Sequence, residues 1–127
     1  MGLKNYFTKI YDKLFVWQWT IGFSHVKIQD IIRLKSFDPD IFWSPIEPYE
    51  RFFADPFFLS KSNGQYYIMA EELDIKKNYG KISLLTFNDS FRKIEEKILL
   101  DTKCHLSYPF IFLENDKTYV FPEAARS

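Results

Sequence analysis

The chain has 127 residues and 15.3 kDa, 17 Lys and Arg against 17 Asp and Glu, and an aromatic complement of 14 Phe, 8 Tyr and 3 Trp. That is one domain at most, and 46% hydrophobic with 27% charged residues is a globular composition rather than a disordered or coiled-coil one. Zero net charge removes a general electrostatic pull toward nucleic acid or anionic lipid, so nucleic acid is not an expected partner.

Leu3, Tyr6, Phe7, Ile10, Leu14 and Phe15 recur at helical spacing, with Lys4, Asn5, Lys9, Asp12 and Lys13 between them. This predicts an N-terminal amphipathic helix over residues 1–15, its modestly basic polar face favouring packing on its own protein over a membrane surface. The apolar run that follows is broken by Gln18 and lacks a small-residue cleavage site, which argues against a signal peptide. Nothing reaches the roughly 20 apolar residues of a membrane span, and position six is Tyr where a myristoylation signal at Gly2 needs Ser or Thr. A cytoplasmic protein without a transmembrane segment is expected. Cys104 is alone, so it forms no internal disulfide; no Cys/His spacing suggests zinc, and no metal or cofactor is expected.

From Val16 the period changes to two, with Trp17, Trp19, Ile21 and Phe23 on one face, which predicts a strand. Val26 to Leu34 fits strand or helix, and Asp38-Pro39, Ser44-Pro45 and Glu47-Pro48 impose extended or turn conformations through Tyr49. An all-β pattern follows. Phe57–Ser60 and Gln65–Glu71 flank a turn at Ser62-Asn63-Gly64, Asn-Gly being a strong hairpin signal; Lys81–Phe87 and Phe91–Leu100 continue as two further antiparallel strands. The next segment then repeats the first. Pro56-Phe57 matches Pro109-Phe110 at an offset of 53, while Tyr67 and Glu71 match Tyr119 and Glu123 at an offset of 52, as though one residue were lost in the turn. A four-stranded unit recurring about every 50 residues is the pattern of propeller blades, although a hairpin reused by chance in an antiparallel protein could give as many matches.

Asp55, between Ala54 and Pro56, enters an apolar strand. If that strand is the innermost of a blade, its carboxylate faces the funnel and can serve as a general base or accept sugar hydroxyls; alternatively it caps backbone N–H groups in an Asx-type turn. Of Glu71 and Glu72 only one can face the same way as Asp55, the plain expectation for the pair being a solvated strand end. Glu123 recurs at the equivalent point of the second copy, which favours a shared structural role. His105, Ser107 and Tyr108 approach the second innermost strand and are candidates for binding sugar or phosphate, or form an ordinary loop; Trp43 is a stacking platform or a core aromatic.

In order along the chain, Trp19 to Phe23, Phe53 to Phe57, Tyr67 to Glu72, Gly80 to Ser83, His105 to Phe110 and Pro122 to Ala124 resemble the N-terminal domain of glucosamine inositolphosphorylceramide transferases and their bacterial relatives. The resemblance runs from about Trp17 to the end. It implies a five-bladed β-propeller similar to those of arabinanases, levansucrases and invertases, whose glycosidases use the Asp of a first-blade Asp-Pro step as base or nucleophile. That role falls by resemblance on Asp55. Their second-blade Asp is matched here by Tyr108, and their acid Glu comes from a later blade, so hydrolysis is not implied.

The expected architecture is therefore a mainly β, partial propeller over residues 16–127, with one blade at about 53–101 and part of another at about 105–127. Blades missing from the parent chain, or supplied by a partner subunit, would complete the ring. The expected function is that of a carbohydrate-active or carbohydrate-binding piece tied to glycoconjugate or surface-polysaccharide synthesis, with a carbohydrate or glycolipid as ligand. A glycoside hydrolase-like parent with Asp55 as base, or a scaffolding propeller, are the alternatives.

Overall fold

The computed structural model describes residues 17–35 and 39–125, so the expected helix over 1–15 lies outside the described residues. Along the chain run β1 (Gly22–Phe23), α1 (Ile28–Leu34), β2 (Phe42–Trp43), β3 (Arg51–Ser62), β4 (Gln65–Asp74), β5 (Tyr79–Phe87), β6 (Lys93–Leu100), β7 (His105–Glu114) and β8 (Lys117–Ala125). Every pairing is antiparallel: β1 with β2, a sheet in the order β3-β4-β5-β6, and β7 with β8. The chain is mainly β, and no helix among the described residues is long and apolar enough to cross a membrane.

The four-stranded sheet is the middle layer of three. One face carries Phe53, Ile68, Ala70, Leu85 and Phe87, which close over Ile21 and Phe23 of the N-terminal segment. On the other face Met69 and Ile82 pack against Leu106, Ile111 and Val120 of the β7–β8 hairpin. A sheet covered on both sides has no solvent face to mark with polar residues. Ile68 through Glu72 are accordingly buried without interruption.

Two expectations need correction. Residues 17–23 do not form a strand along their length: only Gly22–Phe23 pair, with Phe42–Trp43, while Thr20 Oγ1 donates to the Ser44 carbonyl at 2.9 Å and Gln18 Nε2 to the Glu47 carbonyl at 3.2 Å. Beyond that short ladder the side chains of Thr20 and Gln18 satisfy carbonyls of the facing 44–47 segment instead. The ambiguous stretch 26–34 resolves as α1, ended by Lys35 in a left-handed conformation with φ of 50°.

The two hairpins have the same internal register. Ala54 opposes Glu71 as Ser107 opposes Glu123, Phe57 opposes Met69 as Phe110 opposes Phe121, and in each a bulge holds the intervening Xaa-Pro pair. Proline has no N–H for the ladder, which is why the strand bulges there. Both turns have two residues at positive φ, Asn63 (50°) with Gly64 (73°) and Asn115 (48°) with Asp116 (61°), as two-residue hairpin turns require. The residue by which the copies differ is therefore not in the turn. It is Leu59, an unpaired bulge between Phe58, opposite Ile68, and Ser60, opposite Tyr67; the second hairpin runs from Phe110 to Glu114 without a shift.

Candidate functional site

Where the β3 bulge, β4, the β4–β5 connection and the start of β7 converge, a cleft of about 530 Å³ opens, lined by Asp55, Glu71, Asn78 and His105 with Trp19, Thr20 and the apolar Phe52 and Leu73. Each polar group reaches it for a local reason. Asp55 sits in the bulge with φ of 48°, which turns it out of the strand's alternation. Glu71 lies on the sheet face that meets β7, opposite Ala54 and Ile82. His105 begins β7 and leans across the gap.

The hydrogen bonds fix the imidazole. The Gly80 N–H donates to His105 Nδ1 at 3.2 Å, and the other ring nitrogen, Nε2, lies 3.2 Å from Glu71 Oε1. The Asn78 carbonyl, 3.5 Å from Nδ1, is too far to compete. Glu71 is 7% exposed. Burial pushes its carboxyl above the ordinary value, His105 opposes that, and the neighbouring Asp55 pushes it further upward. Gly80 makes the packing feasible: a Cβ there would lie 2.3 Å from the Leu106 carbonyl oxygen and 2.7 Å from Glu71 Oε1.

The expectation of a solvated Glu71-Glu72 pair is overturned, because both are buried. Glu72 faces the opposite way, where it accepts from Ser83 Oγ at 2.6 Å and pairs with Arg51 at 3.3 Å and Lys81 at 3.5 Å. Arg51 also holds Glu96 at 2.7 Å and Glu47 at 3.0 Å, and Lys93 bridges the last two. The hydrogen bond from Arg51 is the main cause that holds Glu96 below the usual carboxylate range. This network ties the ends of β3, β4, β5 and β6 together and is structural.

Of the residues singled out in the sequence, Asp55, Glu71 and His105 share the cleft. Ser107, Tyr108 and Glu123 are not among its lining residues. Tyr108 stacks edge-on with Phe57, ring centroids 4.8 Å apart, and Ser107 opposes Glu123 on the second hairpin. Trp43 is spent on the β1–β2 pair, where it lies against Gly22. Trp19, expected in a strand and in the first of the resembling stretches, forms an exposed wall of the cleft; Asn78 and Gly80 were not among the expected site residues, since their value depends on what β7 brings to them.

A family model described as "Glucosamine inositolphosphorylceramide transferase 1, N-terminal" matches residues 45–127, a stretch that includes every polar lining residue except Thr20. Neither the curated proteins nor the solved structures contain a match.

Proposed function

The chain belongs to the family of glucosamine inositolphosphorylceramide transferase 1 N-terminal domains, and on that footing we propose that it is a carbohydrate-binding part of a glycoconjugate-synthesising system, with the Asp55 cleft as its sugar site. The observation that carries this is the meeting of Asp55, Glu71 and His105 in one cleft beside the exposed indole of Trp19. Carboxyl and imidazole groups accept and donate to sugar hydroxyls, while an aromatic face covers the C–H side of the ring. The stacking of a four-stranded antiparallel sheet between two further layers supports the blade reading of the repeat.

Among the cleft's lining residues only Asp55 offers an exposed carboxyl, since Glu71 is buried beside His105. Cleavage of a glycosidic bond uses two carboxyls, so the cleft is read as a binding site.

Calorimetric titration of the chain with glucosamine, N-acetylglucosamine and inositol phosphate, extended to a glycan array, tests the reading. Binding weakened about tenfold, or 1.4 kcal/mol, by Asp55→Asn and by Trp19→Ala is expected. Absence of binding across the panel, or binding indifferent to both changes, would overturn the sugar site and favour a scaffold.

A further inference from the structure

The two edges of the four-stranded sheet differ in chemistry. The β3 edge is interrupted by the bulge at Pro56 and lies beside β7, so it offers no continuous row of N–H groups. The β6 edge, Lys93–Leu100, is eight residues without proline or glycine, and among the described residues no strand lies on its outer side. Ile94 and Ile98 are about half exposed there, and Leu99 and Leu100 are exposed as well. Unpaired backbone groups carrying apolar side chains are a template for a further strand.

The charges on this edge decide which strand fits. Glu96 is turned onto its own chain, where both carboxylate oxygens accept from Arg51 and one also from Lys93. Glu95, opposite Thr86, and Lys97, opposite Leu84, share the other face and stay exposed, outside that network. Opposed residues of an antiparallel pair lie on the same face, so two copies of one strand pair about a residue that meets itself. Only centres at Glu96 and Lys97 overlap nearly all of β6. About Lys97, that lysine meets itself, while Glu95 meets Leu99 and Glu96 meets Ile98. About Glu96, Glu95 of each copy meets Lys97 of the other and Ile94 meets Ile98, while the self-opposed Glu96 carboxylates are each neutralised by Arg51 and Lys93 of their own chain. Bulges at Ile94 and Leu99 leave residues 95–98 as the regular part of the strand, and both charge pairs fall within it.

We propose that β6 pairs edge to edge with β6 of a second copy of this chain, antiparallel about Glu96, joining two four-stranded sheets into one. Charged side chains keep most strands away from an edge, and here their placement selects a copy of the same strand. The pairing lies in the plane of the sheet and leaves both of its faces as they are. It depends neither on sugar binding nor on the blade reading.

Sedimentation equilibrium of the full chain over a range of protein concentrations tests the pairing, and a monomer–dimer equilibrium is expected. Glu95→Lys and Lys97→Glu each set two pairs of like charges face to face, and each is expected to weaken association about tenfold. The double exchange, Glu95→Lys with Lys97→Glu, rebuilds both pairs and is expected to restore the dimer. Lys103→Glu makes the same change of net charge as Lys97→Glu at an exposed position beyond the strand, and is expected to leave association unchanged. A monomer at every concentration, a dimer that tolerates either single change, failure of the double exchange to restore it, or equal weakening by Lys103→Glu overturns the proposal.

Discussion

Asp55 and Tyr108 occupy one backbone position in two hairpins: φ is 48° at Asp55 and 47° at Tyr108, each immediately before a proline and each within the bulge of its strand. Left-handed backbone costs an L-residue about 1–2 kcal/mol. Its recurrence with two unrelated side chains makes the conformation a property of the repeat, which the chain then uses at one site to aim a carboxylate. A β-branched residue is the least tolerant of this region. Asp55→Val and Tyr108→Val should therefore each lower stability by at least about 1–2 kcal/mol, while Asp55→Asn changes it little. Urea denaturation midpoints check this, and a silent Tyr108→Val would break the equivalence.

Gly80 is a second sensitive position. Its missing side chain is what lets the Leu106 carbonyl, Glu71 and His105 approach one another. Because the nearest atom is backbone, a rotamer change cannot relieve the overlap. Gly80→Ala is expected to destabilise by about 1–3 kcal/mol, the usual cost of overpacking, and to loosen β7–β8 from the sheet, read as faster amide exchange at Leu106 and Ile111.

Glu71 should reveal itself in the pH dependence of stability. Burial raises its carboxyl above the ordinary 4.5, with Asp55 adding to the shift and His105 opposing it. A carboxyl whose folded pKa exceeds the unfolded one binds more protons in the folded state between the two values, so stability falls as pH rises from about 4.5 through the folded value. Glu71→Gln keeps an acceptor for His105 and removes the titration. Its denaturation midpoint should gain on that of the unmodified chain as pH rises above about 4.5; a constant difference would show that Glu71 titrates normally.

Glu72, one residue away, has cations and a hydroxyl as its partners. Removing it strands Ser83 Oγ and leaves Arg51 and Lys81 with one acceptor fewer. Hydrogen bonds to charged groups contribute about 1.5–3 kcal/mol, and a loss in that range is expected for Glu72→Ala in urea denaturation, with sugar binding unchanged.

What the sequence revealed was what its local chemistry determines. Asn63-Gly64 and Asp55-Pro56 are punctuation that works within a few residues, and from them the hairpin, the repeat and the candidacy of Asp55 were legible. Burial of Glu71-Glu72 was not, because acidic residues at a strand end look solvated until Arg51, Ser83 and His105 arrive from positions up to 34 residues away. The short β1 and the role of Trp19 were hidden for the same reason: alternation from Trp17 to Phe23 records which side chains are apolar, whereas a strand also needs a neighbour to pair with.

The Leu59 bulge bears on how such repeats diverge. A residue gained in a strand would ordinarily throw every following side chain to the opposite face; set into a bulge, it leaves Tyr67 and Tyr119 in corresponding places. Lineages can therefore change the length of one copy while its neighbours still fit. An alignment that confines gaps to turns would misplace this one, pairing the wrong residues along the most informative strand and making the copies look more distant than they are.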